Sequence, residues 1–195
     1  MLLAWVSTSK IISTARSADG LWFFIYMPPQ EDWVTEKAEI GNATTHGRGL
    51  FATELIKKGE EVIRWGGEFV AAQKAQEAKE RGKLVMQFDD DLFSVEDRGE
   101  SPAYLINHSC DSNLWMKDAF TLEARRDIKK GEELTVDYSL FTVDENYASR
   151  WECVCGSSDC RHHITGKDWQ IANVQEKYHN HFIPMINRRI AKFKE

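Results

Sequence analysis

Three of the four cysteines of this chain stand within eight residues, and no other feature of the sequence limits its fold as strongly. The three are Cys153, Cys155 and Cys160. A structural zinc site needs four ligands, and thiolates supply them best, so a tight loop with three thiols must find its fourth ligand elsewhere. Unliganded or oxidised cysteines are the alternative to a metal site.

The fourth ligand has a small number of candidates. Cys110 is the only other cysteine, and His162 and His163 lie close to the loop in sequence. A site with Cys110 would use every thiol of the chain. It would also tie the C-terminal loop to the segment around Cys110, which constrains how the chain folds.

The length and composition are those of a soluble globular protein with one domain. The chain has 195 residues, of which 29% are charged and 42% hydrophobic. Its formal net charge of −6 argues against nucleic-acid binding, because that affinity comes from clustered Lys and Arg. An acidic surface suits a basic protein or peptide partner instead. No apolar run is long enough to cross a bilayer, so we expect no membrane association and an intracellular, cytoplasmic or nuclear protein.

The first 18 residues differ in composition from the rest of the chain. They contain Lys10, Arg16 and several Ser and Thr, and no acidic residue occurs before Asp19. This composition resembles that of a mitochondrial transit peptide. The interpretation we favour is a disordered or misassigned extension, with Met27 as an internal start.

Strand and turn patterns dominate residues 33–63, which predicts a β-rich core. The turn signal Ile-Lys-Lys-Gly-Glu-Glu begins at Ile56 and again at Ile128. It is either a common turn used twice or the mark of two β-units packed together.

Helices are predicted at the edges of this core. Residues 71–81 are strong helix formers, and a strand pair is expected at 84–88 and 92–95. Helical spacing of apolar residues returns after Asp168, and Pro184 starts or kinks a last short helix. The predicted fold class is mainly β with peripheral helices (α+β).

Five segments of the sequence are individually unspecific but form a characteristic series. They are His46-Gly-Arg-Gly-Leu-Phe-Ala52, Gly66-Gly67-Glu68, Tyr104-Leu-Ile-Asn-His-Ser-Cys-Asp-Ser-Asn113, Gly131-Glu-Glu-Leu-Thr-Val-Asp-Tyr138 and Cys153-Val-Cys-Gly-Ser-Ser-Asp-Cys-Arg161. In this order they resemble the SET-domain protein-lysine methyltransferases, over about residues 33–166. The resemblance implies a SET-type β-clip fold of short sheets, with a pseudoknot that brings the Asn-His segment under the strand ending at Tyr138.

The resemblance also implies a division of the chain. An N-terminal extension of uncertain order (1–32) precedes a SET core (33–140) with a helical and hairpin insert at about 71–100. A post-SET zinc loop (141–166) and a C-terminal helical segment (167–195) follow.

Two cofactors are implied by the resemblance, S-adenosylmethionine as methyl donor and one structural Zn²⁺ ion. The implied zinc ligands are Cys110, Cys153, Cys155 and Cys160. The residues implied to hold the methyl donor are His46, Gly47, Arg48, Asn107, His108, Tyr138 and Ile164. The implied activity is protein-lysine N-methyl transfer, in a channel lined by Tyr138.

One departure from the family pattern concerns the lysine channel. The family usually has a tyrosine where this chain has Trp65, so a hydroxyl that often lines the channel is missing. Tyr104 stands where Arg is common and offers a hydroxyl nearby, so we take Tyr138 and Tyr104 as the catalytic candidates. The alternative, favoured by Trp65, is a SET-like module that has lost catalysis and serves as a zinc-stabilised interaction or regulatory domain. A zinc-only interaction domain without a cofactor is the third interpretation.

Overall fold

The computed structural model describes residues 14–16, 22–24, 28–43, 47–97 and 101–193. His46, Met27 and most of residues 1–18 lie outside these ranges, so the expectations that concern them stay predictions.

Short strands make up most of the regular structure in the described ranges. They are β1 (Thr14–Arg16), β2 (Trp22–Phe24), β3 (Trp33–Val34), β4 (Ala38–Asn42), β5 (Arg48–Ala52), β6 (Glu61–Arg64), β7 (Phe69–Val70), β8 (Leu84–Asp89), β9 (Leu92–Glu96), β10 (Asn107–His108), β11 (Leu114–Met116), β12 (Thr121–Ala124) and β13 (Glu133–Val136). Eight of them form one sheet in the order β3-β6-β12-β11-β13-β5-β4, with β10 paired to β13. The order β7-β9-β8 forms a second sheet, and β1 pairs with β2. The prediction of a mainly β fold is confirmed.

Helices are short and lie outside the main sheet. The α-helices are α1 (Ala72–Glu80), α2 (Ala172–Lys177) and α3 (Pro184–Lys192), and 3₁₀ turns occupy Pro102–Tyr104, Tyr138–Leu140 and Asp168–Gln170. The predicted helix at 71–81 and the predicted strand pair at 84–95 are confirmed by α1 and by β8 and β9. Proline at the first position of α3 is well placed, because its missing N–H would have no intrahelical partner there. None of the helices described is long and apolar enough to cross a membrane.

The two Ile-Lys-Lys-Gly-Glu-Glu turns lie side by side. Ile56 and Ile128 form an antiparallel bridge, in which each backbone N–H donates to the carbonyl of the other. Both side chains are fully buried. The repeated turn therefore belongs to two β-units that pack together, the second of the two interpretations.

One parallel pairing positions the segment that follows Tyr104. In β10 and β13, Asn107 lies opposite Thr135 and His108 lies opposite Val136. Because β13 runs directly into the turn at Tyr138, this register brings the Asn-His pair next to that residue.

The C-terminal helices contribute to the main hydrophobic core rather than packing only at its edge. Buried core side chains after residue 167 are Trp169, Val174, Tyr178, Phe182, Ile183, Met185 and Ile186. The backbone N–H of Ile183 donates to Leu140 O at 3.0 Å, just after the turn at Tyr138. The helix α3 also meets the β8–β9 hairpin, where Arg188 pairs with Asp89 and Arg189 pairs with Asp90.

Candidate active site and metal centre

The four cysteine side chains converge on one point, although Cys110 is far from the others in sequence. All four Sγ atoms lie within 4.8 Å of one another. In a tetrahedral site with Zn–S bonds of about 2.3 Å the sulfur atoms stand about 3.8 Å apart, so small adjustments suffice to hold the ion. His162, a competing fourth ligand, is exposed, and its Nδ1 lies 3.2 Å from Glu152 Oε1.

The thiols of this cluster differ in how easily they ionise. Burial raises the pKa of the Cys110 and Cys153 thiols, the latter to about 11. Burial also acts to raise the pKa of Cys155, but hydrogen bonds from the Ser157 backbone and from neighbouring groups outweigh it and bring the pKa to about 7. The Cys155 thiolate therefore forms near neutral pH, whereas Cys110 and Cys153 need a cation to compensate the charge of their thiolates. A thiophilic divalent ion such as Zn²⁺ fits this donor set.

Asn107 is fixed by two hydrogen bonds between neighbouring strands. Its Nδ2 donates to Glu133 Oε1 at 2.7 Å and to Arg48 O at 3.2 Å. Gly49 lies against this pair, since a Cβ there would stand 2.6 Å from Glu133 Oε1 and 2.8 Å from Asn107 Nδ2. The sequence Arg48-Gly49 thus lets the backbone of β5 approach the Asn107 amide closely.

His108 links Tyr138 to the cysteine cluster. The backbone N–H of Tyr138 donates to His108 Nδ1 at 3.2 Å, so Nδ1 is the unprotonated nitrogen of a neutral ring. The proton then resides on Nε2, which lies 3.3 Å from Cys110 Sγ and donates to it. The two hydrogen bonds, one at each ring nitrogen, fix the orientation of the His108 imidazole.

Tyr138 presents an aromatic face and a fixed hydroxyl. Its O–H donates to Ile106 O at 3.0 Å, and its ring packs against His108 and Phe141, with centroids 5.1 and 5.6 Å away. Burial raises the pKa of Tyr138 above its ordinary value, so the hydroxyl stays neutral at physiological pH.

A cavity of about 650 Å³ extends from Tyr138 towards α1 and the β8–β9 hairpin. Its aromatic walls are Trp65, Phe93, Tyr104, Tyr138, Phe141 and Tyr147. Trp65 is fully buried, and its Nε1–H donates to Ala103 O at 3.0 Å. The Tyr104 hydroxyl donates to Ser94 Oγ at 3.2 Å on the wall of the same cavity. The cavity therefore has aromatic walls. The indole N–H of Trp65 and the hydroxyls of Tyr104 and Tyr138 each already donate a hydrogen bond to a protein acceptor.

The sequence model of the SET domain matches residues 47–139, which contain Asn107, His108, Tyr138 and most of this cavity. Residues 47–139 therefore form a SET domain. Histone-lysine N-methyltransferase ATX2 of Arabidopsis thaliana is 31% identical over an alignment of 141 residues, and the match covers 65% of this chain and 13% of ATX2. Trithorax of Drosophila melanogaster, also named a histone-lysine N-methyltransferase, is 33% identical over an alignment of 132 residues, and the match covers 61% of this chain and 3% of trithorax. The chain thus spans a small part of these relatives' length.

The fold also agrees with a solved SET structure. The methyltransferase domain of the human histone-lysine N-methyltransferase SETMAR aligns with a TM-score of 0.53 at 23% identity, over 66% of this chain and 58% of that one. At this identity the likeness concerns the fold. It confirms the SET-like β architecture predicted from the five sequence segments.

Gly47, Arg48 and Ile164 are the remaining described residues that were expected to hold a methyl donor. Gly47 adopts φ +73°, a backbone conformation that favours glycine, and Arg48 follows it at the start of β5. Ile164 is fully buried with Cys110 and packs against the Tyr138 side of the cluster. The fold therefore places Arg48 beside Asn107, and Ile164 beside Tyr138 and the cysteine cluster, while His46 lies outside the described residues.

Trp151 is a site residue that the sequence analysis missed. Its ring lies 5.9 Å from that of His108 and 6.4 Å from that of Tyr138, so it covers the Asn-His segment of the SET domain. The available signal was a large aromatic residue two positions before Cys153, in the predicted zinc loop.

Gly49→Ala is expected to displace the Asn107–Glu133 pair, because the added Cβ would overlap both side chains. We expect affinity for S-adenosylmethionine to fall roughly tenfold and stability by about 1–3 kcal/mol. Titration calorimetry and thermal unfolding measure the two effects. Gly41→Ala is the matched control, since its Cβ would crowd the Phe51 ring instead. It should cost stability and spare binding, and equal loss of affinity in both variants would contradict the role given to Asn107.

Proposed function

We propose that this protein is an S-adenosylmethionine-dependent protein-lysine N-methyltransferase. The observation that carries the proposal is the β10–β13 pairing, which sets Asn107 and His108 beside Tyr138 at one end of an aromatic cavity. The naming of similar SET-domain proteins as histone-lysine N-methyltransferases supports the same reaction class.

The residues proposed to hold the methyl donor are Gly47, Arg48, Asn107, His108, Tyr138 and Ile164, together with His46 as predicted from the sequence. The main chain at Gly47 and Arg48 and the Asn107 and His108 segment would bind its amino-acid and adenine ends. Ile164, buried beside the thiols, would cover the adenine together with Trp151. When bound, S-adenosylmethionine supplies a methyl group already activated on a sulfonium.

The chain's own part in the reaction is to present an uncharged amine in line with that methyl group. The aromatic walls of the cavity lower the pKa of a lysine that is buried between them, because burial disfavours its charged form. The Tyr138 oxygen, whose proton is directed at Ile106 O, keeps lone pairs that accept from the amine or polarise the methyl group. Holding the two groups at near-attack distance supplies much of the rate acceleration, so no dedicated general base is assigned.

The proposed substrate is a lysine in a basic protein, with histones as the first class to test. The net charge of −6 favours association with such a partner through long-range attraction. A histone substrate would imply a nuclear protein.

Two measurements test the proposal in sequence. Calorimetry with S-adenosylmethionine should show binding, and transfer of labelled methyl from this donor to core histones should then give methyl-lysine by mass spectrometry. Binding without transfer, to histones or to a mixture of other basic proteins, would favour the catalytically inactive SET-like module instead. The Trp65 indole at a channel position is the observation that favours that second candidate. Absence of binding would exclude the methyltransferase and leave the zinc-only interaction domain without a cofactor.

A further inference from the structure

The guanidinium of Arg161 is held between two buried carboxylates beside the cysteine cluster. Its Nη1 and Nη2 donate to Asp137 Oδ2 and Oδ1 at 2.9 and 2.6 Å, and its Nε donates to Asp168 Oδ2 at 2.7 Å. The Asp137 side chain is fully buried and that of Arg161 is 12% exposed. A forked pair of this kind fixes both the distance and the orientation of the two groups, which lysine, as a point charge, does not.

Asp137 extends this constraint to the turn that carries Tyr138. Its Oδ1 also accepts from the Ser139 N–H at 3.0 Å and so caps the 3₁₀ turn Tyr138–Leu140. The Tyr138 N–H is bound to His108 Nδ1. The backbone of Tyr138 is therefore fixed both by His108 and by the carboxylate that Arg161 holds.

Arg161 is at the same time part of the cysteine loop. It follows Cys160 directly, and its backbone N–H donates to Cys110 Sγ at 3.4 Å. Asp168, the second carboxylate, accepts from the backbone N–H and the hydroxyl of Thr165. Three parts of the chain thus meet at one guanidinium: the cysteine loop, the Tyr138 turn and the start of the C-terminal segment.

We propose that Arg161 is a positioning residue that couples the order of the cysteine loop to the placement of Tyr138. With the loop closed, the guanidinium holds Asp137 and fixes the turn; with the loop open, the guanidinium withdraws and the turn loosens. The catalytic consequence rests on the proposed methyltransferase function, whereas the change in order of the turn does not.

Hydrogen exchange of the full, zinc-loaded protein tests this coupling at the backbone amides of residues 139–142. These amides are hydrogen-bonded within the turn, so their exchange reports its opening. Arg161→Met is expected to accelerate their exchange about tenfold, with Arg161→Lys between it and the wild type. Removing zinc with a chelator should accelerate exchange of the same amides in the wild type. In Arg161→Met the chelator should cause little further acceleration, because the contact between residue 161 and Asp137 is already lost. Equal acceleration by the chelator in both proteins would overturn the proposal.

A control and a second variant separate positioning from general stability. Arg126→Met removes an arginine paired with Glu132 on the surface and should leave exchange at residues 139–142 unchanged. If Arg161→Met does not fold, Asp168→Asn keeps the fork on Asp137 and should accelerate the same amides about twofold to threefold. Unchanged exchange in that variant, or a uniform rise across the chain that follows thermal stability, would contradict a positioning role.

Kinetics distinguish this inference from the proposed function. In an active wild type, Arg161→Met should lower kcat about tenfold or more with a smaller change in KM for S-adenosylmethionine. A wild type without methyl transfer but with the expected exchange pattern would refute the proposed function and leave the coupling intact. An Arg161→Met protein with wild-type kcat would refute the coupling to catalysis.

Discussion

Tyr138→Phe should bind S-adenosylmethionine almost as tightly as the wild type and lose methyl transfer by a factor of about 100 or more. The phenylalanine ring keeps the packing against His108 and Phe141 that shapes the pocket. What disappears is the oxygen beside the reacting groups and the hydrogen bond to Ile106 O. Leaving that carbonyl without its donor costs about 1–3 kcal/mol of stability, which is too little to unfold a typical domain.

Titration calorimetry measures the affinity for S-adenosylmethionine, and a single-turnover assay measures the rate of methyl transfer. The two measurements separate the effect on binding from the effect on the chemical step. Tyr147→Phe is the comparison, because it removes another hydroxyl from the wall of the same cavity and should cause a much smaller loss of rate. An undiminished rate in Tyr138→Phe would show that the hydroxyl has no part in the chemistry. Lost binding in that variant would assign Tyr138 to cofactor recognition instead.

Cys110→Ser should release the metal and abolish binding of S-adenosylmethionine. The four sulfur atoms join the segment after β10 to the loop at 153–160, and Ile164 and Trp151 are positioned by that loop. Because binding of a structural metal stabilises the folded state directly, we expect a loss of about 3 kcal/mol or more, equivalent to roughly 6–12 °C in Tm for a chain of this size.

Metal content by elemental analysis, scanning calorimetry and cofactor titration measure these three consequences together. His162→Ala is the control, since this exposed histidine was the competing fourth ligand and should be dispensable for metal retention. Chelation of the wild-type protein should reproduce the behaviour of Cys110→Ser. A Cys110→Ser protein with full metal content and wild-type Tm would show that the ion has another fourth ligand.

The fold could be predicted from the sequence because several local patterns agreed with one another. The helix at 72–80, the hairpin at 84–96 and the paired turns at Ile56 and Ile128 all carry propensities or turn signals that are readable without tertiary context. The likeness to a known family added what those patterns lack, namely that Asn107 would lie near Tyr138.

The parts that escaped prediction depend on contacts between distant segments. Nothing in the local sequence marks Trp151 as a neighbour of His108, or Arg161 as the partner of Asp137, because each contact is created by the folded loop. The helices after Asp168 were expected at the edge of the core. The Tyr178 hydroxyl donates to Cys110 O, whereas Phe182 and Ile186 fill the central core, a role that helical spacing alone does not specify.

The hairpin of β8 and β9 forms one wall of the aromatic cavity, and its tip is attached to α3 through Asp89 and Asp90. Both ion pairs are exposed, so each contributes less than about 1 kcal/mol and is weakened by dissolved salt. Asp89 and Asp90 are consequently neutralised within the molecule and offer little attraction to a positively charged peptide. The width of the cavity mouth should then respond to ionic strength, because that wall is tethered by charges that solvent can reach.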